Sequence, residues 1–395
     1  MENKQHFFGK KTMIAMLAVL SAFPPLSTDL YLPALPHMMK ILNASQSAVN
    51  LSLSLFLIFF ALGILFWGPV SEKFGRKPVL LTGLVLYIIG SAGCALSTNV
   101  TMLILSRVFQ AFGGGAAEAV ATAMVKDMFT GRKRESVLAL VMAMVVVAPV
   151  VAPILGAIIL KFMSWRVIFW TLTGFAIITF CLSTQLDETL EERYDGHVLR
   201  SIGRLGVVLK NPGFSSLLGV FSMAPLPLMA FIAASAFIYI NGFGMSEQMY
   251  GLYFGFNALG SLIGPLLFMR LSKWINSRTI ITVSYSILTI SGIVLEFFGT
   301  SSPNIFALTM FASTIGVSMM RPPSANMLLS QQDGDTGSAA SLINFTALFM
   351  GSVGMFLISL ETDALISTLG IMQILVGTIC GIAWLMVRHR SFIRS

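Results

Sequence analysis

The sequence predicts an all-α membrane protein, with twelve transmembrane helices in two pseudo-symmetric six-helix bundles, and three observations lead there. First, 56% of the 395 residues are hydrophobic and 11% charged, with mean hydropathy +0.84; a soluble domain carries about 25% charged residues. Second, the apolar residues gather into runs close to the ~20 that carry a helix across a bilayer. Third, one long polar stretch, 186–212, divides those runs six and six.

The spans are placed at 12–36, 47–69, 78–98, 102–125, 136–160 and 165–185, then at 213–240, 247–270, 279–299, 303–328, 337–360 and 364–387. The domains are an N-terminal bundle, 1–185, a linker, 186–212, and a C-terminal bundle, 213–395. The linker carries Asp187, Glu188, Glu191, Glu192, Arg193, Asp195, Arg200, Arg204 and Lys210. Lys10-Lys11 followed by a long apolar run without a small-residue cleavage signature reads as a first spanning helix and not a removed leader.

Basic residues set the orientation. With the N-terminus inside, the inner loops hold Lys73, Arg76, Lys77, Lys126, Arg132, Lys133, Arg134, Lys273 and Arg278, and the inner tail Arg388, Arg390 and Arg394. The outer loops hold little beyond Lys40, Lys161 and Arg166, so both termini are expected in the cytoplasm. The halves echo each other: Trp67 to Lys77 joins the second and third spans, and Met269 to Arg278 makes a similarly short basic connection half a chain later. Paired six-helix halves with a long inner linker are a transporter layout.

The +8 net charge does not point to nucleic acid, because the basic residues sit in short clusters between apolar spans. Cys94, Cys181 and Cys380 lie inside spans and far apart, so no disulfide framework is implied. His6, His37, His197 and His389 fall in loops or tails, and no His/Cys/carboxylate cluster has ligand spacing. An enzyme, metal-dependent or not, would need such a constellation in the spans; no cofactor is expected.

The chemistry rests on few residues. Asp29 follows Pro24 and Pro25 in the first span. An intramembrane carboxylate is costly and by default marks a proton or substrate site. The prolines free carbonyls near Leu20 and Ser21, where the helix is expected to kink or open. Arg107, in the fourth span, lies at similar depth with opposite charge, so the two are expected partners, the pairing holding Asp29 ionised. Glu118 follows Arg107 by about three helical turns. Arg107, Ala111, Gly114 and Glu118 thus form one stripe, read as lining a wet path with Glu118 a second proton or cation site. The plainer reading of Gly113-Gly114-Gly115 is close helix packing. Pro149 and Pro153 share a face of the fifth span and bend it, with Gly156 beyond them. Glu296, Arg321 and Asp363 lie near predicted membrane surfaces and read as interfacial; Asn257 and Asn344 read as structural hydrogen-bonding groups.

Gly68-Pro69-Val70-Ser71-Glu72-Lys73-Phe74-Gly75-Arg76-Lys77-Pro78 resembles the signature loop of the major facilitator superfamily, with Glu72 where that family usually has Asp. Leu105-Ser106-Arg107-Val108-Phe109-Gln110 and the glycines after it resemble the family's fourth-helix motif, associated with proton coupling. Pro149, Pro153 and Gly156 resemble its fifth-helix antiporter motif, with Ala148 and Ala157 at places where glycine is preferred. The run from Pro25 to Pro36 resembles the bicyclomycin-resistance (Bcr/CflA) branch of drug–proton antiporters, and Phe74 to Val79 and Ser164 to Trp170 agree with it; Glu118 departs from that branch, where a small or apolar residue is usual.

The resemblance implies an inner-membrane antiporter that exports amphipathic or toxic molecules against protons, through a cavity lined by the first, fourth, seventh and tenth helices. Asp29, Arg107 and Glu118 would serve proton and substrate. Gly68, Glu72, Gly75, Arg76, Lys77, Pro149, Pro153 and Gly156 would shape the gate. The expected partners are a drug-like small molecule, protons and the bilayer, with the chain working as a monomer. The alternative is a proton-coupled exporter or importer of one metabolite, such as a peptide, siderophore or sugar-like solute.

Overall fold

A computed structural model describes residues 9–190, 205–332, 336–388 and 390. The linker residues Glu191, Glu192, Arg193, Asp195, Arg200 and Arg204, together with His6, His197, His389 and Arg394, lie outside the described residues. The chain divides into two compact units, Met1–Ser201 and Ile202–Ser395.

In the first unit α1 spans Lys10–Asp29, a 3₁₀ turn Leu32–Ala34, α2 Leu35–Ile41, α3 Gln46–Phe74, α4 Arg76–Ala95, α5 Val100–Met128, α6 Gly131–Phe162 and α7 Trp165–Ser183. Polar residues set where these helices begin: the Ser45 side chain accepts from Ala48 N at 3.2 Å and Asn99 from Met102 N at 2.8 Å. The first span does not run unbroken over 12–36. It continues through Pro24 and Pro25 and stops after Asp29, and the chain resumes as α2 with Pro36 in its first turn. There the missing N–H costs no helical bond. Ser27 and Thr28 bond back to the carbonyls of Phe23 and Pro24 at 2.6 and 3.1 Å, hydroxyls competing for the backbone in the last turn.

α5 packs along both α3 and α4. The glycines of its middle make that possible: a Cβ on Gly113 would meet the backbone of Gly83 and Tyr87, and one on Gly115 that of Phe60 and Gly63. α6 lies against α1. Gly156 faces the Leu30 carbonyl so closely that an added Cβ would overlap it.

In the second unit the expected helix 213–240 is broken. α8 spans Pro212–Phe221 and α9 Pro225–Ala236, with a turn at 222–224 between them and a π-helical turn, Phe237–Gly242, after them. Pro225 and Pro227 cannot donate back across the break; the Tyr285 hydroxyl donates to the Val220 carbonyl at 3.0 Å beside it. α10 (Glu247–Leu271), α11 (Ser277–Phe298), α12 (Pro303–Leu329), α13 (Thr336–Ser359) and α14 (Leu365–Val387) follow. Gly354 of α13 packs onto the Leu226 carbonyl, the same device as Gly156 on Leu30. The end of the linker is folded: 205–209 is helical, Val208 is buried in this unit's core, and Asn211 Nδ2 donates to the Gln331 carbonyl at 2.6 Å.

Eleven described helical stretches are long and apolar enough to cross a membrane; α6, at 32 residues and without a charge from Val137 to Leu160, completes twelve. Between α13 and α14, Glu361 accepts from the N–H groups of Thr362, Asp363 and Ala364, which hold its carboxyl below the usual carboxylate range. That contribution is present above the unfolded pKa and is lost as pH falls through the folded one.

The glycine contacts differ in what they tolerate. Gly156→Val should overpack the α1–α6 seam and cost about 1–3 kcal/mol, whereas Gly68→Ala should be neutral or slightly stabilising because nothing lies within 4 Å of its Cβ position. Thermal unfolding of the two purified variants in detergent checks this: a large drop for the first only.

Candidate proton and substrate site

Arg107 is held by contacts on every side that the described residues offer. It is fully buried, the guanidinium 4.1 Å from the Phe56 ring centroid and 4.7 Å from that of Tyr31, with Phe169 at 6.0 Å. Nη1 donates to the Ser27 carbonyl at 2.9 Å and to Gln110 Oε1, and Gln110 Nε2 donates on to Ser91 Oγ at 2.8 Å. Tyr31 and Tyr87 anchor the surroundings through Ser52 (3.0 Å) and Ser27 (2.5 Å). Aromatic faces stabilise a desolvated guanidinium by about 2 kcal/mol. Among the described residues, Nε and Nη2 nevertheless have no hydrogen-bond partner.

Asp29 is 4% exposed and accepts from Thr28 Oγ1 at 2.9 Å. The expected Asp29–Arg107 pair is not made: among the described residues no ion pair joins Asp29 to a base. Arg107 is engaged elsewhere: its guanidinium donates to the backbone carbonyl of Ser27 and to Gln110 Oε1. Asp29 is thus a buried carboxylate at a helix end, one residue from the Leu30 carbonyl that carries Gly156.

Glu118 is half-buried. Ser21 of α1 stands near its carboxylate, but Ser21 Oγ and Glu118 Oε2 both lack a partner that meets hydrogen-bond geometry. The middle of the Arg107–Glu118 stripe is not a wet path. Ala111 is fully buried and Gly114 packs under the rings of Tyr87 and Phe60, because the glycine run serves close packing.

The gate residues separate into two groups. Near the C-terminal end of α3, Glu72 is exposed and is not the carboxylate that latches the loop. That role falls to Glu188, after α7: it accepts from the backbone N–H of Arg76 (2.9 Å) and Lys77 (3.2 Å), and from those of Thr189 and Leu190. A carboxylate at the first turn of α4 complements the helix dipole. Gly75 makes room for it, at φ 105° with Glu188 where a Cβ would stand. Asp127, at the end of α5, takes Arg76 Nε at 2.9 Å, and Arg76 Nη1 donates to Ser71 Oγ at 2.7 Å. In α6, Pro153 and Gly156 are buried and Pro149 half-buried.

Sequence reasoning missed Asp127 and Glu188, whose partners lie 51 and 112 residues away. It also missed the cage. Gln110 had a local signal, three residues from Arg107 on one face; Phe56 and Phe169 had none among many apolar residues. Asn257 accepts from Thr314 Oγ1 at 3.0 Å, a structural bond between α10 and α12, whereas Asn344 is exposed and makes none. Glu296 is exposed and bonded to Ser367, as an interfacial group would be.

The sequence model of the Major Facilitator Superfamily matches residues 17–387. The uncharacterized MFS-type transporter YdgK of Bacillus subtilis (strain 168) is 30% identical over 363 residues, 89% of each chain. The multidrug resistance protein MdtL of Salmonella paratyphi C (strain RKS4594) is 25% identical over 309 residues, 78% of each. Among solved structures, the nucleoside transporter NupG has a TM-score of 0.77 at 12% identity, covering 95% of this chain and 99% of its own. A D-xylose-proton symporter has 0.74 at 12% identity, covering 94% and 97%. At that identity the structures share the fold alone.

Removing the carboxylate at the first turn of α4 should loosen this end of the first unit. Glu188→Ala is expected to lower the thermal midpoint by several degrees, a charge-assisted bond contributing about 1.5–3 kcal/mol when fully buried and less here, while Glu72→Ala leaves the midpoint unchanged. Equal shifts in the two variants would contradict the assignment.

Proposed function

The chain belongs to the major facilitator superfamily, a multi-pass membrane transporter and not an enzyme, and from that premise we propose that it exchanges amphipathic, drug-like molecules for protons. The observation that carries the reading is Asp29: a buried carboxylate with no basic partner among the described residues, at the end of α1, between Ser27, whose carbonyl binds Arg107, and Leu30, whose carbonyl packs on Gly156. A carboxylate so placed binds a proton when the site is empty and gives it up when a substrate takes its place. The relatives named as multidrug resistance proteins, at 25% identity, support the substrate class.

In this reading Asp29 is protonated from outside and releases its proton inside. Arg107 holds α1 at Ser27, and Glu118 offers a second carboxylate toward α1 for a cation or another proton. The Pro149/Pro153/Gly156 face of α6 carries the shape of α1 through the cycle. Gly75, Arg76 and Lys77 work with Asp127 and Glu188 as the cytoplasmic latch. Family members of this kind need no cofactor; protons supply the driving force, at about 2.3 kcal/mol per charge per 100 mV. The basic inner loops favour cytoplasmic termini in a bacterial inner membrane, with a linker over 186–212 between the bundles and a monomer as the working unit.

Proton release from purified protein in weakly buffered detergent, on adding ethidium or a neutral drug, tests this. Wild type should release protons, Asp29→Asn should release none, and Glu118→Gln should release a reduced amount if the second carboxylate takes part. Bound compound with no release from wild type would contradict direct competition.

A further inference from the structure

Ser21 of α1 behaves unlike other buried hydroxyls of the first unit. Ser27, Ser54, Thr173, Thr179 and Ser183 each donate to the carbonyl four residues earlier, the usual outlet for a hydroxyl inside a helix. Ser21 is fully buried, yet its Oγ has no hydrogen-bond partner among the described residues. It stands beside the Glu118 carboxylate, whose Oε2 is also buried and unpartnered. A hydroxyl and a carboxylate thus meet where α1 packs on α5 without a hydrogen bond between them.

The backbone supplies further oxygens at the same place. Pro24 and Pro25 have no N–H, so the carbonyls of Leu20 and Ser21 lose their donors within α1. Ser21 therefore presents a hydroxyl and a freed carbonyl, and Leu20 a second carbonyl one residue earlier. In a membrane such carbonyls are tolerated only against protein or water. Where transporter helices are interrupted, freed carbonyls are ligands for the coupling ion.

The first unit offers Glu118 no base. Glu118 stands ten residues before Met128, the nearer end of α5 (128 − 118), about 15 Å inside the helix. From 12 to 28, 49 to 71, 79 to 95, 137 to 160 and 167 to 183, the helices α1, α3, α4, α6 and α7 carry no charged residue. Arg107 is eleven residues away on α5 (118 − 107), about 16 Å along the axis, and is engaged at Ser27 and Gln110. A carboxylate at this depth is costly without a counter-charge. Among the described residues no three His, Cys, Asp or Glu side chains stand together, so the several carboxylates that hold a divalent ion are lacking. One carboxylate with hydroxyl and carbonyl oxygens suits a hard monovalent cation.

We propose that Glu118, the Ser21 hydroxyl and the carbonyls of Leu20 and Ser21 bind a sodium ion between α1 and α5. The ion supplies the counter-charge that the first unit withholds from Glu118, and it engages oxygens that no donor satisfies. It ties α1 to α5 six residues before Ser27 (27 − 21), where Arg107 holds the same pair of helices. The inference rests on the reading of Glu118 as a cation or second proton site and names the ion; it requires neither Asp29 nor a drug.

Binding of radiolabelled sodium to the full purified chain in detergent, followed by scintillation proximity with choline chloride holding the ionic strength, tests this. Wild type should bind saturably, with unlabelled sodium competing and choline not. Glu118→Gln should abolish binding, and Ser21→Ala should weaken it about tenfold or more. Thermal midpoints in choline alone should show both variants folded, and sodium should raise the midpoint of wild type but not of Glu118→Gln. No saturable binding by wild type, or binding that survives Glu118→Gln and is lost in Asp29→Asn, would overturn the site. Wild type that binds no sodium but releases protons on adding ethidium would overturn it while sparing the efflux reading. Sodium binding lost in Glu118→Gln, without drug-induced proton release from wild type, would support the site and contradict that reading.

Discussion

The first bundle depends on the burial of one guanidinium. A charge removed from water in a membrane protein must be repaid locally, and Arg107 is repaid by aromatic faces from α3, α7 and the turn after α1, by the Ser27 carbonyl and by Gln110. Those contacts draw four segments of the unit onto α5. With the guanidinium engaged at Ser27, the carboxylate two residues later accepts, among the described residues, only from the Thr28 hydroxyl. The unpartnered Nε and Nη2 show that the repayment is incomplete, which is the condition under which an arginine can change partners at modest cost during a transport cycle.

A second constraint is shared by both units. In each, the first span is interrupted, and a glycine on the fifth span packs directly on a backbone carbonyl next to the interruption: Gly156 on Leu30, Gly354 on Leu226. Interrupted helices expose polar backbone, which a membrane tolerates only against protein or water. Close glycine contact supplies the protein side of that requirement and leaves the other side for ligands. The fold thereby places its least regular backbone where transport chemistry is expected, with regular helices supporting it.

The number and order of the spans were legible because hydropathy and length report directly on bilayer crossing. The interruptions were harder. Apolar residues continue across Asp29–Leu35 and Ser222–Pro225, so composition gives no boundary there, and Pro24 and Pro25 pointed to a break earlier than the one observed. Asp29, Arg107 and Glu118 were legible because charge is conspicuous in apolar surroundings, but their pairing was not. Equal depth says nothing about which group is met, and Arg107 meets α1 at the Ser27 carbonyl. The latch failed for a related reason: Glu72 was close to Arg76 in sequence, whereas Asp127 and Glu188 reach it only through the packing of α4, α5 and the segment after α7.

The most direct test of this account separates the shape of Arg107 from its charge. Thermal stability and the pH profile of proton release should be measured for Arg107→Lys and Arg107→Gln. If a planar group must lie among Phe56, Tyr31 and Phe169 while bonding Ser27, both variants lose stability to a similar extent, and the charge-conserving one is not rescued. If instead Arg107→Lys matches wild type while Arg107→Gln alone moves the pH profile, the charge acts on Asp29 directly and the cage is incidental, contrary to the arrangement described here.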